Sequence, residues 1–293
     1  MDGCEAVPPA EGMLEVRRPK RALLPLVVAS PHSGCDYSPE FVAASRLDPL
    51  TLRRSEDAFV DAIFAAAPRL GVPLLKARFP RAYLDVNREP WELDPTMFSE
   101  ALPAFVNTRS PRVRMGLGTI ARVVASGEEI YAGKLRFAEA QRRVETLYAP
   151  YHRALHRLVE DTGSAFGGCL LLDCHSMPST VGSACGHDWA DIVLGDCHGG
   201  ACAPRLVEAA RAFLGERGFR VAINMPYAGG FTTGHYGRPR QGRHALQIEI
   251  NRALYMDERR YSRKPSFARL ADDMAALVER LGQVMQESLA HAA

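Results

Sequence analysis

The hydrophobic pattern of the chain consists of short apolar runs that alternate with amphipathic segments. Two of the apolar runs end abruptly in polar residues: the run that begins at Leu170 reaches His175, and the run that begins at Leu23 reaches His32. Short apolar runs of this kind are typical of strands buried on both faces, as in a mostly parallel sheet. Because ligands of open α/β sheets bind at the carboxyl ends of the strands, we expect both histidines to face a pocket.

Strand-like and helix-like segments follow one another along most of the sequence. We predict strands near residues 24–30, 72–79 (continuing into 81–88), 170–177, 191–196, 219–224 and 244–251. We predict helices near residues 48–67, 134–161, 204–215 and 267–290, with a kink at Pro150 in the second of them. Residues 89–130 lack sustained periodicity, which is typical of a lid or a pocket wall, and residues 227–235 are expected to form a glycine-rich loop. This alternation predicts an α/β fold with a mostly parallel sheet flanked by helices.

Domain organisation follows from the same pattern. We expect a loose N-terminal leader over residues 1–20 and a single domain over residues 21–293. The net charge of +2 gives no electrostatic reason to expect nucleic acid as a partner. No stretch approaches the roughly 20 apolar residues of a membrane span, so no membrane association is expected either.

Seven cysteines at irregular spacings predict reduced thiols, and hence a cytoplasmic protein. A structural zinc site is a possible alternative use of some of them, but no CxxC pair supports it. Its candidate ligands would be Cys185, His187, Cys197, His198 and Cys202. The oligomeric state is left open by the sequence.

Two strand-end histidines and one carboxylate suggest a metal site. His32 and His175 could each be an ordinary buried polar residue, but together with Asp57 they match the ligand set of a catalytic zinc ion, or of another divalent metal. Asp173 lies two residues before His175 and could orient its imidazole. The alternative for Asp173 is a strand-end cap.

Glu249 lies on an otherwise apolar strand, where a carboxylate is costly to bury unless it is paired, protonated or catalytic. The more specific interpretation is that Glu249 acts as a general base, and the alternative is a structural ion pair with Arg252. His235, at the end of the glycine-rich loop, could donate a hydrogen bond to a developing oxyanion or could simply cap the loop.

Arg81, Asn87 and Arg88 cluster where a predicted strand ends. Arginine binds carboxylates through a planar, bidentate fork, so this cluster suggests a small acidic substrate. The alternative is a set of surface ion pairs with Asp85 and Glu89.

Seven segments in order resemble the N-formylglutamate amidohydrolase (N-formylglutamate deformylase) family, from about residue 24 to 258. They are Ser30–Gly34, Ser55–Asp57, Leu84–Arg88, Asp173–Ser176, Asp191–Asp196, Asn224–Gly237 and Gln247–Asn251. That family is similar in fold to zinc carboxypeptidases and to aspartoacylase and succinylglutamate desuccinylase, with a mixed sheet, a zinc ion on two histidines and one carboxylate, an Asn-Arg pair for the substrate carboxylate, and a late glutamate as general base.

The resemblance implies roles for particular residues. His32 and His175 would be the zinc histidines, Asn87 and Arg88 the carboxylate pair, and Glu249 the base. In addition, Arg81 lies in a run that resembles the substrate segment of aspartoacylase.

One position departs from the pattern of the relatives. Their acidic ligand follows the first histidine by three residues, and that position here is Cys35. We therefore expect the third ligand elsewhere, at Asp57 first, then Glu56, then Asp36.

The implied activity is hydrolysis of N-formyl-L-glutamate to L-glutamate and formate, a step of histidine catabolism, with a small acidic N-acyl amino acid as substrate. Two alternatives stay open at this point. One is the same chemistry on another N-acyl amino acid or a small peptide-like amide. The other is a non-catalytic ligand-binding protein on the same fold, for which a buried general base would have no use.

Overall fold

A computed structural model describes residues 12–180 and 190–291. The described chain falls into two compact units, which are interleaved along the sequence. The first comprises residues 12–15, His32–Glu56 and Ala77–Ala154, and the second Val16–Pro31, Asp57–Lys76 and the described residues from Leu155 onward. The predicted extents of the leader and of the single domain stay predictions.

A seven-stranded mixed sheet, almost entirely within the second unit, confirms the predicted fold class. Its strands are β1 (Leu14–Arg17), β2 (Leu26–Ser30), β3 (Leu74–Ala77), β4 (Cys169–Met177), β5 (Ile192–Gly195), β6 (Val221–Ile223) and β7 (Arg243–Asn251). Their order in the sheet is β1-β3-β2-β4-β7-β5-β6. The sheet is mostly parallel: β2 pairs in parallel with β3 and β4, β4 with β7, and β5 with β6, whereas β5 and β7 are antiparallel. A separate hairpin joins β8 (Met256–Asp257) to β9 (Ser262–Arg263).

The helices of the described chain are mostly short. They are α1 (Pro39–Ala44), α2 (Pro49–Leu52), α3 (Val60–Ile63), α4 (Pro111–Arg114), α5 (Phe137–Arg143), α6 (Ala149–Phe166), α7 (Pro204–Glu216), α8 (Phe231–Tyr236) and α9 (Phe267–Ala290). Single 3₁₀ turns occupy Arg53–Ser55, Ala67–Leu70, Pro95–Met97, Pro239–Gln241 and Arg252–Leu254. No described helix has the length and apolar character that a membrane crossing would need.

The core of the second unit lies between its sheet and its two long C-terminal helices. Leu172 of β4, Ile248 of β7, Leu206 of α7 and Leu277 of α9 are all fully buried in one cluster. The amphipathic pattern predicted α9 over Phe267–Ala290, and the structure confirms it over the same residues. The core therefore follows from hydrophobic periodicity alone.

The predicted helix over residues 48–67 is wrong, because the chain leaves the helical path in its middle. After α2 and one 3₁₀ turn, Glu56 is extended, and Phe59 adopts a left-handed backbone conformation with φ 67° before α3 begins. Both acidic residues of this break are buried. A continuous helix would not allow the side chains of Glu56 and Asp57 to reach the partners described below. The break is therefore explained by the contacts of these two carboxylates and not by the apolar stripe.

The predicted strand continuation over residues 81–88 is also wrong: β3 ends at Ala77 and turns follow. The backbone N–H of Asn87 donates to the carboxylate of Asp85 at 2.8 Å, a local bond that competes with strand pairing. This segment folds around one aspartate instead of extending the sheet.

Three smaller differences concern element boundaries. The predicted helix over residues 134–161 is α5 and α6 joined by a π-helical turn over Val144–Tyr148. This turn ends two residues before Pro150, which has no N–H to donate. The leader expected to be loose contains β1, and the glycine-rich loop contains the short helix α8. Residues 89–130 contain only one 3₁₀ turn and α4, and a lid role for them stays a prediction.

Candidate active site

Strands β4 and β7 present two pairs of polar residues at their carboxyl ends. In the parallel register His175 is paired with Glu249, and two residues earlier Asp173 is paired with Gln247. All four side chains are buried. Since side chains alternate between the two faces of a strand, residues two apart share a face, and the four groups form two adjacent tiers on one face of the sheet.

The imidazole of His175 lies between two carboxylates. Its Nδ1 is 3.0 Å from Oδ2 of Asp57, and its Nε2 is 3.0 Å from Oδ1 of Asp173. Burial alone would lower the pKa of His175, but Asp173 and Asp57 together raise it well above its ordinary value. The contact with Asp173 agrees with the predicted orienting role.

Asp57 is held by a second set of partners through its other oxygen. Oδ1 of Asp57 accepts hydrogen bonds at 3.2 Å from both Ser176 Oγ and Arg252 Nη2, and Arg252 Nε donates to Ser176 Oγ at 3.1 Å. Arg252, considered above as a partner for Glu249, thus pairs with Asp57. These bonds fix the carboxylate so that Oδ2 faces His175.

Glu249 accepts a hydrogen bond from a neighbouring amide. Nε2 of Gln247 donates to Oε1 of Glu249 at 2.9 Å, and Oε1 of Gln247 accepts from the backbone N–H of Gly230 at 2.7 Å. The sequence placed Gln247 and Glu249 on one strand face. It gave no sign that the glycine-rich segment would be the third partner.

The glycine-rich segment contacts the site through Thr233 rather than through the histidine that we singled out. Thr233 is buried, and its hydroxyl donates to Oδ2 of Asp173 at 3.1 Å. His235 is exposed, and its ring stacks on Phe231 and meets Tyr236 edge-on. A catalytic role for His235 stays a prediction, and among the described contacts none supports it.

Asp85 is the residue that sequence reasoning undervalued. In the first unit its Oδ1 lies 2.8 Å from Nε2 of His32, and its Oδ2 accepts from Arg81 Nε at 2.9 Å and lies 3.4 Å from Arg88 Nη2. Burial would raise the pKa of the Asp85 carboxyl, but Arg88, Arg81 and His32 hold it well below its ordinary value. The sequence did contain a sign of this role, because Asp85 is a charged residue between two apolar ones, Leu84 and Val86. The structure shows that both apolar neighbours are fully buried.

Arg88 is itself buried, and burial lowers the pKa of its guanidinium to about 10. Its Nε donates to the carbonyl of Leu117 at 2.9 Å and its Nη1 to the carbonyl of Asn87 at 2.7 Å. The structure therefore brings Arg81, Asn87 and Arg88 together around Asp85. Asp85, Asn87 and Arg88 are buried and Arg81 is partly exposed, so the ion pairs with Asp85 considered as the alternative do form, but they lie mostly inside the protein.

The two other candidates for the third metal ligand have different partners. Glu56 accepts from Arg53 Nε at 3.0 Å and from the hydroxyl of Tyr37 at 2.7 Å. Asp36 forms an exposed ion pair with Arg78 at 2.8 Å. Of the three acidic residues, Asp57 is the one whose carboxylate lies against a predicted histidine ligand.

Over residues 12–180 and 190–291, one group of histidine and acidic side chains lies close enough together to hold a metal ion: His32, Asp57 and His175. All three are buried, and one ligand atom from each lies within 4.8 Å of the others. Two imidazole nitrogens and a carboxylate oxygen are a donor set that zinc accepts, so this group could hold a metal ion. Of the alternative zinc ligands, Cys185 and His187 lie outside the described residues, and none of the five described cysteines forms a disulfide.

The contacts of Asp85 generate a prediction about stability. The Asp85→Ala substitution leaves two guanidinium groups without their buried carboxylate, so we expect the free energy of unfolding to fall by about 3–5 kcal/mol. Asp36→Ala breaks an exposed pair and should cost less than about 1 kcal/mol. Urea denaturation of both variants measures the difference. Equal losses would show that Asp85 does not organise this network.

Comparison with known proteins shows which family the chain resembles. The family model of N-formylglutamate amidohydrolase matches residues 24–256, well over half of the chain. Two relatives named N-formylglutamate deformylase are 28% identical: that of Pseudomonas aeruginosa over 249 residues, covering 84% of this chain and 87% of the relative, and that of Pseudomonas putida over 240 residues, covering 80% and 83%.

Two solved structures show the same fold. The crystal structure of N-formylglutamate amidohydrolase from Ralstonia eutropha JMP134 superimposes with a TM-score of 0.88 at 38% identity, covering 94% of this chain and 99% of the other. A protein from Agrobacterium tumefaciens matches with a TM-score of 0.68 at 18% identity, over 93% and 96% of the two chains, which supports the fold alone. The chain belongs to the N-formylglutamate amidohydrolase family.

Proposed function

We propose that this protein is a metal-dependent amidohydrolase that converts N-formyl-L-glutamate and water to L-glutamate and formate. The observation that carries the proposal is the buried group of His32, Asp57 and His175, together with a buried glutamate in register with His175. Family membership and the names of the two Pseudomonas relatives support the substrate.

Zinc is the metal that this donor set suits best, although other divalent ions also bind imidazole and carboxylate. A metal ion held there would polarise the carbonyl of the substrate and acidify a water molecule. The anchoring of Asp57 by Arg252 and Ser176, and of the two imidazoles by Asp85 and Asp173, would orient the three ligands before a metal ion binds.

Glu249 is the proposed general base. It would take a proton from the attacking water as the new C–O bond forms at the formyl carbon. It would then deliver a proton to the leaving nitrogen as the C–N bond breaks, so that glutamate leaves with its amine and formate with the second oxygen. The hydrogen bond that Gln247 donates to Oε1 of Glu249 at 2.9 Å holds the carboxylate in one orientation, which this role requires.

Arg88, Arg81 and Asn87 are the proposed substrate-binding residues. A guanidinium carries five N–H donors, and the contacts of Arg88 with Leu117, Asn87 and Asp85 use one at each nitrogen. Within the part of the chain that the structure describes, Nη1 and Nη2 each have a second N–H from which a substrate carboxylate could accept. For His235 we propose donation of a hydrogen bond to the developing oxyanion.

A cytoplasmic location is proposed as well, since the described thiols form no disulfide.

The first prediction from this proposed function concerns substrate and metal together. Purified protein should release formate from N-formyl-L-glutamate, lose this activity after dialysis against a chelator, and regain it with zinc. The measurement is a formate assay alongside metal analysis. Metal bound at one per chain without formate release would redirect the substrate search to other N-acyl amino acids, and activity that survives complete metal removal would contradict the metal dependence.

The second prediction concerns the base. Glu249→Gln keeps the shape and the hydrogen-bonding capacity of the side chain but cannot accept a proton, so kcat should fall by ~100-fold or more. Metal content and substrate affinity, measured by calorimetry, should stay close to those of the unaltered protein. Unchanged turnover would remove Glu249 from the mechanism, and a protein that binds ligand without any turnover in either form would instead be a binding protein.

The third prediction separates the candidate carboxylate ligands. Asp57→Asn should weaken zinc affinity by ~100-fold or more, because it removes an anionic ligand. Glu56→Gln is the matched control: it disturbs the pair with Arg53 and should leave zinc affinity within ~3-fold. Competition titration with a chromophoric chelator measures both. The reverse ranking would assign the ligand to Glu56.

A further inference from the structure

The glycine-rich segment over residues 229–235 is attached to the site at two points. The backbone N–H of Gly230 donates to the side-chain oxygen of Gln247 at 2.7 Å, and the hydroxyl of Thr233 donates to Asp173 at 3.1 Å. Gln247 and Asp173 are paired in the parallel register of β7 and β4. One short segment thus contacts both Gln247 and Asp173, which lie two residues before Glu249 and His175 on their strands.

Each of these contacts continues to a residue with a proposed chemical role. Gln247 donates its amide N–H to Glu249, the proposed base, at 2.9 Å. Asp173 lies 3.0 Å from Nε2 of His175, a proposed metal ligand. The segment therefore reaches the base through an amide and the metal ligand through a carboxylate.

The orientation of the Gln247 amide follows from Gly230. A backbone N–H can only donate, so the atom that faces it must be the amide oxygen, and the NH₂ group must then point to Glu249. If Gly230 moved away, the amide could rotate and turn its oxygen toward the carboxylate. The position of Gly230 is thus what keeps a donor directed at Glu249.

The path of the segment depends on Gly229. Its φ of 129° is a conformation that residues with a side chain rarely adopt. A Cβ at this position would lie 2.8 Å from Cys197 Sγ and 3.2 Å from Cγ2 of Thr233. The close approach between Gly229 and Cys197 brings Gly230 and Thr233 within hydrogen-bond distance of their partners.

We propose that the segment over residues 229–235 is a positioning element with two separable arms: Gly230 and Gln247 orient the base Glu249, and Thr233 and Asp173 orient the metal ligand His175. This inference rests on the proposed function for the roles of Glu249 and His175. Gln247 and Thr233 are positioning residues in it, because neither acts except through another side chain.

The two arms predict different losses, measured on the full-length, zinc-loaded protein with N-formyl-L-glutamate. Gln247→Met removes the amide but keeps the side-chain length, so kcat should fall by ~10-fold or more while zinc affinity stays within ~2-fold. Thr233→Val removes the hydroxyl but keeps the shape, so the dissociation constant for zinc should rise by ~10-fold or more while kcat at saturating zinc stays within ~3-fold.

Three further variants control for general damage. Thr233→Ser keeps the hydroxyl and should restore zinc affinity to near that of the unaltered protein. Gln247→Glu can still accept from Gly230 but puts a second carboxyl group against Glu249; two carboxyl groups in contact share a proton, so kcat should fall even if Gln247→Met fails to fold. Gln141→Met removes a comparable Gln-to-Glu hydrogen bond from the exposed face of α5 and should change neither quantity.

Several results would overturn the inference: unchanged kcat in both Gln247 variants, equal zinc affinities for Thr233→Val and Thr233→Ser, or parallel losses of kcat, zinc affinity and melting temperature in both arms. The proposed function fails in a different way, when the unaltered protein releases no formate. In that case the Thr233 arm, which is measured by zinc titration alone, still decides whether the segment orients His175.

Discussion

The parallel pairing of β4 with β7 is the constraint on which the candidate site depends. It places His175 beside Glu249 and Asp173 beside Gln247, and a shift of the register by one residue would turn one strand's polar groups away from those of the other. The apolar residues that alternate with them, such as Leu172 and Ile248, are fully buried and fix that register. The same two strands therefore specify both the hydrophobic core and the polar site. Alternate residues along each strand form the core, and the residues between them form the site.

Burial makes every charge on this face dependent on a partner. Asp57, Asp173 and Glu249 are carboxylates with almost no exposure, and an isolated buried carboxylate would take up a proton or destabilise the fold. Arg252 balances Asp57, and the imidazole of His175 is drawn toward its charged form between two carboxylates. Asp57, Asp173 and Glu249 outnumber these two cationic partners. Such a surplus of negative charge would favour a bound divalent cation, which is consistent with the metal site proposed above.

Most of the fold could be predicted from periodicity, because most sheet strands are apolar runs and α9 is an amphipathic segment, and no polar side chain competes with the burial of their apolar residues. Prediction failed where one polar side chain overrides periodicity. The stripe of Leu52, Phe59 and Ile63 looks helical, yet the chain breaks at Glu56 so that Asp57 can reach His175. In the same way Tyr83 and Leu84 look strand-like, but Asp85 folds the chain around its carboxylate.

The site shows the same division between what sequence patterns specify and what they do not. His32, His175 and Glu249 end or interrupt apolar runs, and this makes them visible in the sequence. Asp85 and Thr233 support this site through hydrogen bonds between segments far apart in sequence, and Gln247 is held by Gly230 of another segment; no local pattern encodes these contacts. Glycine-rich segments are usually considered as ligand loops. Here Gly229 has a φ that side chains disfavour, and a Cβ at this position would collide with Cys197, so close packing is enough to require a glycine. The supporting residues, not the ligands, are thus where structure adds most to the sequence.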